Sequence, residues 1–163
     1  MISVKDLRKK YLGAPEATDE DMEIVRDVRE YVEGEIMSRR GDLEGGWHRD
    51  EKLARETFEK VHQGLVDIGV QRAGWPKAFG GLGVSQVASQ MVIEEISRAD
   101  AGLATHLAII DWTMLPAARA KRMDLLQQFV PKICDDKPHS SCMAITELLN
   151  AVQSTVPVTT NNG

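Results

Sequence analysis

Apolar residues at helical spacing run through the first 137 residues of this chain, and this pattern limits the fold more than any other feature. Between Asp19 and Ser38, methionine, valine and isoleucine recur every three or four residues, which predicts one amphipathic helix. Thr18 supplies a hydroxyl N-cap for that helix. A second helix is predicted from Asp50 to Gly69, where a glycine ends the pattern.

A glycine-rich loop separates these two helices from the rest of the chain. Residues 69–85 hold five glycines and one proline, a content that sustains neither a helix nor a central strand. Ser85 is placed to cap a third helix that ends near Asp100. Residues 101–110 are almost wholly apolar, which predicts a helix buried on most of its circumference, and Pro116 is expected to interrupt the segment after residue 110.

The spacing of apolar residues changes from helical to strand-like near residue 140. Apolar residues at helical spacing predict a last helix from Met123 to Ile133, with a kink or an early stop at Pro131. Residues 140–147, "SSCMAITE", have the small, alternating texture of a buried strand. The sequence therefore predicts an all-α helical bundle that ends in a short β-strand.

Composition narrows the classes of function. A net charge of −5 and the lack of a basic patch with interleaved aromatics argue against nucleic acid or an anionic membrane as the main partner. The chain shows no signal-peptide pattern, and Cys134 and Cys142 do not form a disulfide framework, so a cytoplasmic location is expected. Neither cysteine has a basic neighbour or CxxC spacing, and both are predicted to be inert.

Three further groups of residues are predicted to be structural. Glu94 and Glu95 point about 100° apart on a helix and cannot converge on one substrate atom, so ion pairing, with Arg98 four residues after Glu94, is favoured. The four histidines are scattered, and no metal site is predicted; His106 is interpreted as a core residue. The loop "FGGLG" lacks the preceding strand and the following Lys-Ser/Thr of a phosphate loop, and is interpreted as a tight structural turn.

Four segments in the same order resemble the acyl-CoA dehydrogenase family. "WPKAFGGLGVS" resembles the family's "PEEYGGLGLS"-type loop, and "VIEEISRADAGLATH" resembles its "EE-(I/L)-(S/A)-R-x-D" helix with the apolar helix after it. "QQFVPKICDDK" is similar to "QKxxYLPxLAxGE", and "CMAITE" to the start of "CxALTEPxAGSD". The resemblance covers residues 19–147. It implies an N-terminal helical domain followed by the first strand of a middle β-domain.

The resemblance divides the chain into four parts. The expected parts are an N-terminal arm (1–18), the helical acyl-CoA dehydrogenase N-terminal domain (19–139), the start of the middle β-domain (140–147) and an uncharged tail (148–163).

The family's chemistry is the FAD-dependent α,β-dehydrogenation of an acyl-CoA thioester. A glutamate removes the α-proton while the β-hydrogen leaves as hydride to the flavin. The resemblance implies that the strand backbone lies along the flavin, with the Thr146 hydroxyl near N5 and O4. The cofactor-binding residues implied in this way are Met143, Ala144, Ile145 and Thr146.

The resemblance also implies that the apolar helix lines the acyl-chain tunnel. The four residues concerned, which share one helical face, are Thr105, Ala108, Ile109 and Trp112. Ordinary packing between helices is the alternative interpretation of the same four positions. The partners implied by the family are an acyl-CoA substrate, an electron-transfer flavoprotein and, in a complete protein, further copies in a homo-oligomer.

The chain departs from the family pattern after Glu147. "LLNAVQ" stands where the family has "PxAGSD", and all 45 charged residues lie in the first 147 positions. No residue is assigned as the catalytic base, which the resemblance places in a later domain, so we expect no dehydrogenation by these residues alone. Two alternatives stay open: a non-catalytic, truncated helical module or partner-binding fragment, and a flavin-dependent monooxygenase or oxidase of the same fold.

Overall fold

The computed structural model of the protein describes residues 3–11, 17–44 and 46–142. These residues form α-helices joined by short turns, and no strand occurs among them. The helices are α1 (Val4–Lys10), α2 (Asp19–Tyr31), α3 (Arg40–Leu43), α4 (Gly46–Arg49), α5 (Glu51–Ile68), α6 (Gln86–Ser97), α7 (Ala101–Arg119) and α8 (Met123–Ile133).

The first long helix begins where the sequence predicts. The Thr18 hydroxyl accepts from the backbone N–H of Asp21, and the Asp21 carboxylate accepts from the N–H of Thr18, so the two form a capping box. Beyond Tyr31 the helical path continues through a π-helical turn (Val32–Ile36) and a 3-10 turn (Met37–Arg39). The prediction of a helix up to Ser38 is therefore confirmed, although its last two turns are not α-helical.

Side-chain caps start the three other long helices. Asp50, Ser85 and Asp100 each accept a hydrogen bond from the backbone N–H three residues later, over 3.0, 3.2 and 2.7 Å. Gly69 ends α5 with φ of +100°, a left-handed conformation that glycine adopts without steric cost. Local sequence thus fixes the ends of these helices.

The structure corrects two expectations for α7. Pro116 does not interrupt it, because the helix loses only the hydrogen bond that residue 116 would donate, and the Ala120 N–H bonds to the Pro116 carbonyl at 2.9 Å. The helix is also less enclosed than its apolar sequence predicts, since Thr105 is exposed and Trp112 is 48% exposed. α8 contains Pro131 and ends two residues later at Ile133.

The predicted strand is tested only at its first residues. Ser140, Ser141 and Cys142 adopt no regular secondary structure. The remaining strand residues, 143–147, lie outside the described residues. None of the helices in the described ranges is long and apolar enough to cross a bilayer.

The core has two parts that meet at α7. The larger part is built mainly where α2 packs on α6 and α6 packs on α7, with α1 and α5 covering it. The smaller part lies between α7 and α8 and contains Ala117, Leu126, Val130 and Cys134. Trp75 and Phe79 of the glycine-rich loop pack against this smaller cluster and anchor the loop to it.

A fully buried carboxylate, Glu95 of α6, joins three segments of the fold. Its Oε1 accepts from Lys10 Nζ and Tyr11 OH at 2.6 Å each and lies 3.3 Å from Arg29 Nη1 of α2. Its Oε2 accepts from Arg98 Nη1 at 2.5 Å. The expected ion pairing is therefore present, but Arg98 pairs with Glu95 three residues away and not with the exposed Glu94.

These partners also determine the protonation state of Glu95. Burial alone would raise the pKa of the Glu95 carboxyl, but hydrogen bonds from Lys10, Tyr11 and Arg98 outweigh burial and hold the pKa below its usual value. Burial and the neighbouring carboxylate raise the pKa of Tyr11 to about 12, so its hydroxyl stays a donor. At neutral pH the cluster thus joins an ionised carboxylate to the cations Lys10 and Arg98 and to a neutral tyrosine hydroxyl.

We predict that Glu95→Ala lowers the free energy of unfolding by about 3–5 kcal/mol, because it removes the fully buried acceptor that Lys10, Tyr11 and Arg98 share. Glu94→Ala is the matched control: Glu94 is exposed and pairs only with Lys10 at 3.2 Å among the described residues, so about 1 kcal/mol or less is expected. Urea titration of both variants measures the difference. Equal losses for the two glutamates would contradict the role assigned to Glu95.

Candidate functional site

A cleft of about 370 Å³ opens between α6, the second half of α7 and the glycine-rich loop. α7 contributes Ala108, Asp111 and Trp112 to it, and α6 contributes Ser89 and Ile93. Trp75 of the loop forms the opposite wall. The mixture of an apolar lining with a few polar groups is typical of small-molecule sites.

Two of the four residues predicted to bind the acyl chain lie in this cleft. Ala108 and Trp112 line the cleft, as the shared helical face predicts. Thr105 is exposed, and its hydroxyl donates to the Ala101 carbonyl of its own helix at 2.7 Å. Ile109 is half-buried and does not line the cleft. The four predicted flavin residues, from Met143 to Thr146, lie outside the described residues.

The glycine-rich loop builds its wall through its own backbone. The N–H groups of residues 80 to 84 all donate to carbonyl oxygens within residues 72–77, over 2.9–3.2 Å. A side chain at Gly81 would strike the Trp75 carbonyl oxygen, at 1.9 Å from the Cβ position. Because these amides are already paired, they are not available to hold a phosphate, in agreement with the interpretation of a structural turn.

Asp111 is the functional candidate that sequence reasoning missed. Burial raises the pKa of its carboxyl to about 6, and the Trp75 side chain opposes this rise only in part. The hydroxyl of Ser89 is also buried in this cleft and has no hydrogen-bond partner among the described residues. The sequence contains a signal for this residue, because Asp111 is an isolated charge: residues 101–118 include no other Asp, Glu, Lys or Arg.

A second recess, of about 460 Å³, contains histidines that the sequence pattern did not connect. The rings of His62 and His106 stand edge to face at 5.0 Å, and both pack against Phe58. Burial lowers the pKa of His62 to about 4, so this imidazole is neutral. His106 is half-buried, in agreement with its interpretation as a core residue, and its Nε2 lies 3.3 Å from Ser140 Oγ.

The remaining candidates are one histidine, His139, and the two cysteines. His139 bonds to Asp135, four residues earlier, at 2.8 Å. Cys134 is buried, which raises the pKa of its thiol to about 11, and Cys142 is exposed. No group of three or more histidine, cysteine or acidic residues among the described parts of the chain is arranged to hold a metal ion.

Comparison with known proteins identifies the family. The family model of the acyl-CoA dehydrogenase N-terminal domain matches residues 18–137, which include every helix from α2 to α8 and the whole lining of the cleft. The chain belongs to the acyl-CoA dehydrogenase family. The predicted family and its helical N-terminal fold are therefore confirmed.

Two curated relatives agree with this assignment. The (2S)-methylsuccinyl-CoA dehydrogenase of Cereibacter sphaeroides is 33% identical over 87 residues, which cover 52% of this chain and 14% of that protein. A probable acyl-CoA dehydrogenase of Bacillus subtilis (strain 168) is 23% identical over 145 residues, or 88% of this chain and 23% of that protein. The chain thus spans less than a quarter of these acyl-CoA dehydrogenases. No solved structure matches it.

We predict that Asp111→Asn raises the free energy of unfolding near neutral pH by roughly 2–3 kcal/mol, the equivalent of about two pKa units. The pKa of Asp111 is raised from 3.8 to about 6 in the folded state. The stability that its protonated carboxyl contributes to the fold is therefore fully present below pH 3.8 and is lost as the pH rises through 6. Urea titrations at several pH values, compared with the unchanged chain, measure this difference. A gain that does not grow between pH 4 and 7 would contradict the raised pKa.

Proposed function

We propose that this chain forms the helical side of the substrate site of an FAD-dependent acyl-CoA dehydrogenase, with the α7 cleft receiving the acyl group. The observation that carries the proposal is the position of Ala108 and Trp112, which the family resemblance assigns to the acyl tunnel and which line one cleft. Both relatives bear names of dehydrogenases, which favours dehydrogenation over the monooxygenase or oxidase alternative.

The proposed role of the cleft is to bind and orient the acyl chain and to exclude water around it. Ala108 leaves space beside the helix, while the exposed indole of Trp112 offers apolar surface to an alkyl chain. Burying apolar surface supplies binding energy that is used to hold the chain against the reacting groups. The base that removes the α-proton is not assigned to any residue of this chain.

FAD, when bound, accepts the hydride that leaves the β-carbon. In the proposal, residues 143–146 hold it, with the Thr146 hydroxyl as a hydrogen-bond donor. A contact among the described residues fits this role: Ser140 Oγ lies 3.3 Å from His106 Nε2 of α7, so the segment that leads to Met143 starts beside the helix that carries the acyl cleft. Electron-transfer flavoprotein as acceptor, and assembly into a homo-oligomer, belong to the same proposal.

Acyl-CoA binding by the purified chain tests the cleft. Trp112→Ala is expected to weaken the binding of butyryl-CoA or hexanoyl-CoA by about tenfold or more, since burial of a large apolar side chain contributes about 1.5–3 kcal/mol. Isothermal titration calorimetry gives the dissociation constants. Trp47→Ala is the matched control, because Trp47 is 41% exposed and lines the separate histidine recess. Equal affinities for the two variants would refute the assignment.

Flavin binding tests the other half of the proposal. FAD is expected to bind the chain weakly, with part of its site contributed by residues 143–146, and Thr146→Val is expected to weaken it by about three- to tenfold, the size of one hydrogen bond. Quenching of flavin fluorescence measures the affinity, and Thr105→Val on the exposed part of α7 is the control. A non-catalytic module is supported instead if neither FAD nor acyl-CoA binds in a saturable manner.

A further inference from the structure

Asp111 carries the one charged side chain among the described residues that line the α7 cleft. It forms no ion pair with any described residue. The two acids that are fully buried in the described residues are both matched: Glu95 has its cationic partners, and Asp21 accepts from the N–H groups of Thr18 and Ser85 at 3.0 and 3.1 Å. Asp111 is therefore a carboxylate that the fold desolvates without supplying a counter-ion.

The surroundings of this carboxylate favour a cation. Two indole rings, of Trp75 and Trp112, line the same cleft, and the faces of indole rings attract cations. The hydroxyl of Ser89 is a buried acceptor that lacks a partner. An anionic ligand would be repelled by Asp111, and a plain alkyl chain would leave the carboxylate even more desolvated.

We propose that the α7 cleft binds a primary ammonium group, with Asp111 as its counter-ion and Trp75 and Trp112 as its aromatic walls. An ammonium group brings a positive charge and three donors, so it restores the missing partner of the carboxylate. On the proposed function, on which this extension rests, the acyl group that enters the cleft bears an amino substituent. The substrate class is then an aminoacyl-CoA thioester.

The other groups near Asp111 do not compete for this role. The cleft lining from α6 and the loop consists of uncharged side chains, including the glutamines at positions 86 and 90. Directly after α8, the titratable group that interacts with Asp111 is Cys134, whose raised pKa keeps its thiol neutral at neutral pH. Arg72 lies close enough to influence Cys134 and is not part of the cleft lining.

The direct test uses the full chain and three probes of equal length: butylammonium, butan-1-ol and butyrate. Binding is followed by the ¹⁵N–¹H signals of the tryptophan indoles, assigned with single Trp→Phe variants, at a pH of about 7.5, where the Asp111 carboxyl is mainly ionised. Butylammonium is expected to shift the Trp75 and Trp112 signals saturably and to bind at least about tenfold more tightly than butan-1-ol. The Trp47 signal serves as the internal reference.

Asp111→Asn is the decisive variant, since it is expected to fold at least as stably as the unchanged chain. Its affinity for butylammonium is expected to fall to that for butan-1-ol, while butan-1-ol binding changes by less than about threefold. Glu94→Gln, an exposed acid outside the cleft, is expected to change neither affinity. The proposal is overturned by equal binding of the three probes, by no saturable butylammonium binding, or by a preference that survives in Asp111→Asn.

A second comparison separates this proposal from the one on which it rests. The affinity of the chain for 4-aminobutyryl-CoA is expected to exceed that for butyryl-CoA by about tenfold, and Asp111→Asn is expected to abolish this difference. If both thioesters bind equally through Trp112, the amino preference is wrong and the acyl-CoA site stands. If butylammonium binds through Asp111 but neither thioester binds, the proposed dehydrogenase role is wrong and the cation site stands.

Discussion

The carboxylate of Glu95 is the interaction on which the arrangement of the helices depends. It lies fully buried where α1, α2 and α6 meet, and each of these segments or its immediate flank supplies a donor to it. Lys10 and Arg98, which are far apart in sequence, therefore form ion pairs with the same carboxylate. A buried charge of this kind tolerates few other arrangements, because a shift of any one of these helices breaks a hydrogen bond to the buried carboxylate.

The helices could be predicted from the sequence because their signals are local. Caps at Thr18, Asp50 and Ser85 and the glycine at position 69 are recognisable within a few residues, and each occurs in the structure. The prediction that Pro116 interrupts α7 is wrong for the same reason. The proline signal is local, but α7 packs against both α6 and α8, and this packing maintains the helix across one lost hydrogen bond.

The cleft was less predictable because it depends on contacts between distant segments. The shared face of Ala108 and Trp112 follows from helical spacing, and both do line the cleft. That Trp75 closes the opposite side depends on how residues 69–85 fold back on themselves, which no periodicity reports. Asp111 stands out in the sequence as an isolated charge, yet only its surroundings show that it lacks a counter-ion.

The position of the Trp75 wall is set by the backbone of the loop. Hydrogen bonds between main-chain groups and the absence of a side chain at Gly81 fix the loop backbone that carries Trp75, while the Trp75 side chain packs against the small cluster between α7 and α8. Exchanges at positions such as 108, 111 and 112 would change the side chains that line the cleft without touching the main-chain hydrogen bonds that fix this loop.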